Sequence, residues 1–109
     1  MADIKKITAT QVVGLIKDQG YLCALSGRPL TPETASLDHI MPLGRGGEHS
    51  LANVWVVDHQ VNIAKGTMTV DEFVLMCRDV VECQARRHQA AVAQTNGQAV
   101  KAGNIDERA

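Results

Sequence analysis

The chain has 109 residues, a net charge of -1 and 45% hydrophobic residues, which indicates a folded protein with room for one domain. It contains no apolar run of the roughly 18 residues that a membrane-spanning helix needs, and its start leads into no signal-peptide segment. We therefore expect a cytoplasmic protein without membrane contact. Three cysteines argue against a complete disulfide framework. The balanced charge excludes a surface that is basic overall, so any contact with nucleic acid must be local.

The first predicted element is a helix near the N-terminus. Thr8 and Gln11 have the spacing of a capping box, and they introduce an apolar series over residues 12–16. Gly20 is typical of the residue that ends such a helix. We expect this helix to precede the segment that carries chemistry.

Short strands are predicted next. Residues 21–24 favour a brief strand, and a second strand is expected from Ala35 to Met41. A loop with three glycines follows over residues 43–51. Residues 54–57 are apolar and mostly β-branched, and they fit either a strand or the start of a helix, because periodicity cannot separate the two in so short a run.

Two helices complete the pattern. Residues 61–65 read as helical, with Gly66 as the C-cap, and Thr69 with Glu72 forms a second capping box. The helix that starts there is amphipathic and is predicted to reach residue 93. Residues 94–109 are polar and are predicted to form a disordered tail, which leaves one domain over residues 1–93.

The residues that carry chemistry lie between 37 and 66, where three of the four histidines fall. Read in order, they form the string Asp38-His39-x-x-Pro42, Gly46-Gly47, Asn53 and Asn62-x-x-Lys65. This ordered set resembles the motif of the HNH endonuclease family, in the variant whose last motif residue is asparagine. The resemblance covers about residues 21–77 and includes an entry motif formed by Tyr21, Cys23 and Gly27.

The resemblance implies a fold and an origin. The family fold is an α+β, ββα-metal core, in which a two-stranded antiparallel ribbon packs on a helix around one metal. Here we expect an N-terminal helix and a longer C-terminal helix to flank that core, with residues 1–93 as a single HNH nuclease domain. Small free-standing proteins of this kind are often encoded by phages or prophages.

The resemblance also assigns roles to individual residues. It implies that Asp38 and Asn62 hold the metal, that His39 is the general base, and that Asn53 hydrogen-bonds across the glycine loop and fixes its shape, with Gly47 as the other structural residue of the motif. The residue types agree with that chemistry: an imidazole is a competent base near neutral pH, and carboxylate and amide oxygens suit Mg²⁺, with Mn²⁺ or other transition metals as alternatives.

One tension accompanies this assignment. Adjacent side chains of a regular strand point to opposite faces, yet Asp38 and His39 must serve one centre. Either the backbone is distorted there, or the scissile phosphate lies between the two side chains.

The sequence departs from the family at the structural zinc site that many members hold with two Cys-x-x-Cys pairs. The four ligand positions correspond to Cys23, Ser26, Asp58 and Val61, so one thiolate remains. Because such a set does not make a closed tetrahedral site, we predict no structural zinc. Cys23 is then expected to be a small buried residue.

DNA is the expected partner, held by phosphate contacts. The candidates are Arg45 in the glycine loop, Lys65 one helical turn after Asn62, and the pair Arg86 and Arg87. Because Lys65 can reach a phosphate oxygen from that position, we also expect it to be a catalytic residue together with His39. Lys65 could instead be a solvated surface charge, and the arginine pair could simply complement a helix terminus. His49 is left open between a surface role and substrate contact.

We expect a metal-dependent endonuclease that hydrolyses DNA phosphodiester bonds with a water activated by His39. The alternative is an HNH-like subunit that binds nucleic acid or a partner protein and cuts only within a larger viral packaging or restriction assembly. The weak basic charge of the chain keeps this alternative open. Plasmid cleavage would separate the two hypotheses.

Overall fold

The structure is a computed structural model that describes residues 6–97. Its fold is α+β, with a two-stranded antiparallel ribbon and three α-helices in the described part of the chain. The elements follow in the order α1 (Ala9–Asp18), β1 (Ala35–His39), β2 (Val54–Asp58), α2 (His59–Lys65) and α3 (Val70–Gly97). The described chain divides into two compact units between Phe73 and Val74.

Helix α1 begins as its sequence predicts. The Thr8 hydroxyl accepts a hydrogen bond from the Gln11 amide, and the Gln11 side chain accepts one from the Thr8 amide, which confirms the capping box. The helix stops before Gly20, which adopts a left-handed conformation with φ of 69°. The strand expected over residues 21–24 is reduced to one bridge between Leu22 and Pro29.

The ribbon pairs Ala35 with Asp58 at one end and His39 with Val54 at the other. β2 is a strand, which resolves the ambiguity of residues 54–57, and its valines form much of the core: Val54, Val56 and Val57 are all buried, with Cys23 and Phe73. β1 ends at His39, two residues before the predicted Met41. It stops there because both backbone polar groups of Met41 bond to the Asn53 side chain and not to a neighbouring strand.

The side chain of Gln19 joins the C-terminal end of α1 to β2. Its amide nitrogen donates to the carbonyl oxygens of Leu22 and Val56, both at 2.8 Å. Its carbonyl oxygen accepts from the Val56 amide at 2.9 Å. A single side chain therefore satisfies both backbone polar groups of a strand residue that is 1% exposed.

Helix α2 follows β2 without a loop. The Asp58 side chain caps it by accepting a hydrogen bond from the Gln60 amide, and Gly66 ends it with φ of 54°. The short helix starts at His59, two residues before its sequence-predicted range of 61–65. This placement fixes the direction in which the later residues of α2 project.

Helix α3 starts with the predicted second capping box. The Glu72 carboxylate accepts a hydrogen bond from the Thr69 amide, and the Thr69 hydroxyl accepts one from the Glu72 amide. It runs to Gly97, four residues past the predicted end, and the rest of the predicted tail lies outside the described residues. Beyond Phe73 many of its apolar side chains are exposed, among them Val74, Val80 and Val81. None of the helices in residues 6–97 is long and apolar enough to cross a bilayer.

Candidate active site

Three of the predicted site residues line one open cavity of about 340 Å³. Asp38 and His39 reach it from the end of β1, and Asn62 reaches it from α2. Asp38 and His39 are neighbouring strand residues, and both line this cavity at the point where β1 ends and the chain bends at Ile40. The remaining wall includes the turn at residues 42–44 and the segment at residues 66–67.

The carboxylate of Asp38 is 5% exposed and binds two donors within the chain. The indole nitrogen of Trp55, its cross-strand partner, donates to Oδ2 at 2.7 Å. The ammonium of Lys65 donates to Oδ1 at 3.2 Å. Both donors need an acceptor, so the geometry is that of an ionised carboxylate held in one orientation.

Lys65 is placed differently from either sequence interpretation. Its side chain is fully buried, and its ammonium binds Asp38 and the carbonyl oxygen of His39, the latter at 3.1 Å. Burial excludes a solvated surface charge, and the ammonium contacts the end of β1. The spacing of three residues from Asn62 does place both on the face of α2 that meets β1.

Asn62 is fixed by one hydrogen bond, in which its amide nitrogen donates to the Ser36 hydroxyl at 2.7 Å. That bond determines which end of the side-chain amide faces away from β1. Within residues 6–97, the carbonyl oxygen of this side chain has no hydrogen-bond donor. It is therefore free to accept from water or to bind a cation.

These groups fit a hard divalent cation through the chemistry of their donors. Each carboxylate oxygen of Asp38 keeps a lone pair after its one hydrogen bond, and the Asn62 carbonyl oxygen adds a neutral ligand. Among the described residues there is no cluster of three or more His, Cys, Asp or Glu side chains that could hold a metal. A cation here would take most of its shell from water and substrate phosphate.

The imidazole of His39 contacts a second imidazole. Nε2 of His39 lies 2.8 Å from Nδ1 of His49, and the ring centroids are 5.1 Å apart with the planes tilted by 52°. His39 is half-buried and His49 is exposed. The contact joins β1 to the glycine loop, so His49 belongs to the environment of the predicted base.

Asn53 lies across the glycine loop. Its side chain accepts from the Met41 amide at 2.9 Å and donates to the carbonyl oxygens of Met41 and Glu48 at 3.0 and 2.8 Å. The loop is drawn so tight that a Cβ atom at Gly47 would overlap the Met41 carbonyl oxygen and lie 2.9 Å from Nδ2 of Asn53. The loop that carries His49 therefore requires glycine at this point.

Arg45 in the same loop is bound to the start of α3. Its guanidinium makes a two-point ion pair with Glu72, at 2.8 and 3.0 Å, and donates to the Thr67 carbonyl oxygen. The hydrogen bonds from Arg45 and the Thr69 amide lower the pKa of Glu72 to about 2, and the hydrogen bonds and charge of Glu72 raise the pKa of Arg45. Arg86 and Arg87, the other predicted phosphate contacts, are exposed on α3.

The positions that correspond, by the sequence resemblance, to the zinc ligands of HNH proteins hold a hydrogen-bonded thiol here. Cys23 is 3% exposed, and its sulfur accepts from the amides of Ser26 and Asp58 at 3.3 and 3.2 Å. Burial raises the pKa of this thiol, but the hydrogen bonds from Ser26 and Asp58 outweigh it and leave the pKa below its usual value. Three of the four positions, Cys23, Ser26 and Asp58, are thus joined by hydrogen bonds to the thiol sulfur.

Two side chains at the site were missed by sequence reasoning about function. The sequence gives Trp55 only a place in the apolar run 54–57, and it leaves the role of His49 open. The contact of Trp55 with Asp38 depends on the strand register, and the contact of His49 with His39 depends on the path of the loop.

No family model matches this chain, and no curated protein matches it.

Proposed function

We propose that the protein is a metal-dependent DNA endonuclease of the HNH type, with β1, β2 and α2 as its ββα-metal core. The observation that carries this proposal is the cavity of about 340 Å³ that Asp38, His39 and Asn62 line together. A carboxylate, an imidazole and a free amide oxygen are what hydrolysis of a phosphodiester needs around one phosphate. The ordered motif in the sequence supports the same reading.

In this proposal each side chain has a defined task. A divalent cation held by Asp38 and Asn62 would stabilise charge on the phosphate and the leaving oxygen. His39 removes a proton from the attacking water, because a neutral imidazole accepts protons near pH 7. Lys65 is a positioning residue, since its ammonium holds both the Asp38 carboxylate and the His39 backbone.

Cleavage of supercoiled plasmid in the presence of Mg²⁺ or Mn²⁺ tests the proposal. We expect nicking that stops on addition of EDTA and falls by about 10²–10⁴-fold in His39→Ala, the range typical of a lost general base. Asn62→Ala should show a higher metal requirement. His59→Ala, which alters an exposed histidine that does not line the cavity, is the matched control. Unchanged cleavage by His39→Ala would refute the mechanism.

One observation favours the second candidate, a nuclease that binds DNA tightly only as part of a larger assembly. The two predicted phosphate contacts near the cavity are both engaged within the chain: Arg45 with Glu72, and Lys65 with Asp38. Within residues 6–97, little positive charge is then free beside the cavity to hold a phosphate backbone.

Tethering the chain to DNA distinguishes weak DNA binding from a slow catalytic step. Fusing the chain to an unrelated sequence-specific DNA-binding domain raises the local concentration of DNA at the cavity. If grip is limiting, the fusion should cut near the bound sequence far faster than the free chain, and the His39→Ala fusion should not. Equal rates for the fused and free chains would argue against the assembly-dependent candidate.

A further inference from the structure

We propose that His49 is a positioning residue that fixes the orientation and tautomer of His39, so that Nδ1 of His39 is the basic atom. The inference rests on the proposed function, in which His39 accepts a proton. It concerns a residue outside the Asp38, His39 and Asn62 set. His49 lies ten residues from His39, in the loop that Asn53 draws tight.

The geometry of the pair is that of a hydrogen bond. Nε2 of His39 and Nδ1 of His49 are 2.8 Å apart, and the ring centroids are 5.1 Å apart. The difference between the two distances corresponds to about two ring radii, so the rings meet end to end through their nitrogens. Two imidazoles bound to one tetrahedral metal ion with bonds of about 2.0–2.1 Å would keep their nitrogens about 3.3 Å apart, which is further than the separation seen here. The contact therefore holds a proton between the rings.

The position of that proton decides whether His39 can act as a base. A neutral imidazole carries one N–H and one free lone pair. If His49 donated, the Nε2 lone pair of His39 would be occupied and its Nδ1 would carry the proton, which leaves no lone pair for water. If His39 donates from Nε2, its Nδ1 lone pair is free, and no described residue donates to that atom. The second arrangement is the one compatible with general-base chemistry.

The same bond persists through the proposed proton transfer. When Nδ1 of His39 takes up a proton, Nε2–H still donates to the neutral ring of His49, so the charged ring keeps its partner and its orientation. A base oriented by a third group is a recurring arrangement in hydrolytic sites. Asn53 contributes indirectly, because it binds the carbonyl oxygen of Glu48, the residue before His49.

The tautomer can be measured without any substrate. Long-range ¹H–¹⁵N spectra of the full ¹⁵N-labelled chain, at mildly alkaline pH, should show His39 protonated at Nε2, with a scalar coupling across the hydrogen bond to Nδ1 of His49. In His49→Ala the coupling should vanish and His39 should populate both tautomers. His39 protonated at Nδ1 in the parent, or an unchanged His39 spectrum in His49→Ala, would overturn the assignment.

Kinetics then test the role. In His49→Asn the side-chain oxygen can occupy the place of Nδ1 and accept the same bond, whereas His49→Ala removes the acceptor. We expect kcat to fall about 10–100-fold in His49→Ala, as is typical when a group that orients a functional imidazole is lost, with KM unchanged. His49→Asn should keep kcat within a few-fold of the parent, as should the His59→Ala control. Equal losses in His49→Asn and His49→Ala would overturn the positioning role, and an inactive parent with the expected spectra would instead refute the proposed function.

Discussion

Nζ of Lys65 lies 3.2 Å from Oδ1 of Asp38, and the two residues are only 1% and 5% exposed. A buried ion pair of this kind joins the last turn of α2 to the end of β1. It also places a positive charge beside the carboxylate that the proposed metal would share. The pair therefore connects the stability of the fold to the electrostatics of the candidate site.

Breaking this pair should destabilise the protein. Lys65→Met leaves the Asp38 carboxylate buried with its indole partner alone, and losing one member of a buried pair costs about 3–5 kcal/mol. The double variant Lys65→Met with Asp38→Asn removes both charges and should be markedly more stable than Lys65→Met. Urea denaturation of the parent, both single variants and the double variant measures the coupling. Additive single effects would contradict a direct interaction.

Trp55 should report metal binding. It is the sole tryptophan of the chain, and its indole nitrogen donates to Asp38 at 2.7 Å. A cation at Asp38 changes the charge next to the indole, so we expect a saturable change in tryptophan emission on titration with Mg²⁺. In Asn62→Ala the same change should need a higher Mg²⁺ concentration. Identical titration curves for the two proteins would remove Asn62 from the proposed ligand set.

Gly47 should tolerate no side chain. A methyl group there would overlap the Met41 carbonyl oxygen and crowd Nδ2 of Asn53, so Gly47→Ala must displace the loop. We expect a loss of about 1–3 kcal/mol, typical of forced overpacking, measured as a lower midpoint of thermal unfolding. Gly44→Ala is the matched control for stability, because a Cβ atom at Gly44 meets nothing within 4 Å. Equal midpoints for the two variants would mean that the loop is less tight than the structure has it.

The ion pair of Glu72 with Arg45 should give a defined pH dependence. Hydrogen bonds from Arg45 and the Thr69 amide lower the Glu72 pKa from 4.5 to about 2. The stabilisation is therefore complete above about pH 4.5 and is lost as the pH falls towards 2. Glu72→Gln keeps a capping-box side chain but loses the charge. The stability difference between parent and Glu72→Gln should be constant from pH 7 to about 4.5 and shrink below that; a difference unchanged at the lowest pH would contradict the assignment.

Release of Arg45 should strengthen DNA binding. In Glu72→Gln the guanidinium loses its ionised partner and can turn towards a phosphate, so we expect tighter binding and a steeper dependence of affinity on salt. Asp71→Asn makes the same change in net charge one residue away, outside the pair, and serves as the control. Fluorescence anisotropy with a labelled duplex compares the two. An equal gain in both variants would show that net charge alone is responsible.

Structural features that depend on residues close together in the sequence are the ones predicted correctly. Both capping boxes join residues three apart, and each forms as predicted. The end of α1 before Gly20 follows from the backbone freedom of glycine. Such features need no knowledge of the tertiary structure.

For the candidate site, the sequence predicts which residues belong to it but not which contacts they make. Whether Lys65 is exposed or buried depends on how α2 packs on β1, 26 or 27 residues away, and helical periodicity carries no such information. The partner of Asp38 depends on the register that sets it opposite Trp55. The length of β1 depends on Asn53, whose side chain replaces strand pairing at Met41.

The hydrogen bonds of Gln19 also bear on the aggregation of this protein. A two-stranded ribbon has no inner strand, so each of its strands has an edge on which another chain could add a strand. At Val56 the outward amide and carbonyl are already taken by the Gln19 side chain, and the carbonyl also accepts from the Ala24 amide. The middle of β2 is thereby closed to intermolecular β-pairing by a helix-terminal glutamine, a protection that lasts as long as α1 stays docked on the ribbon.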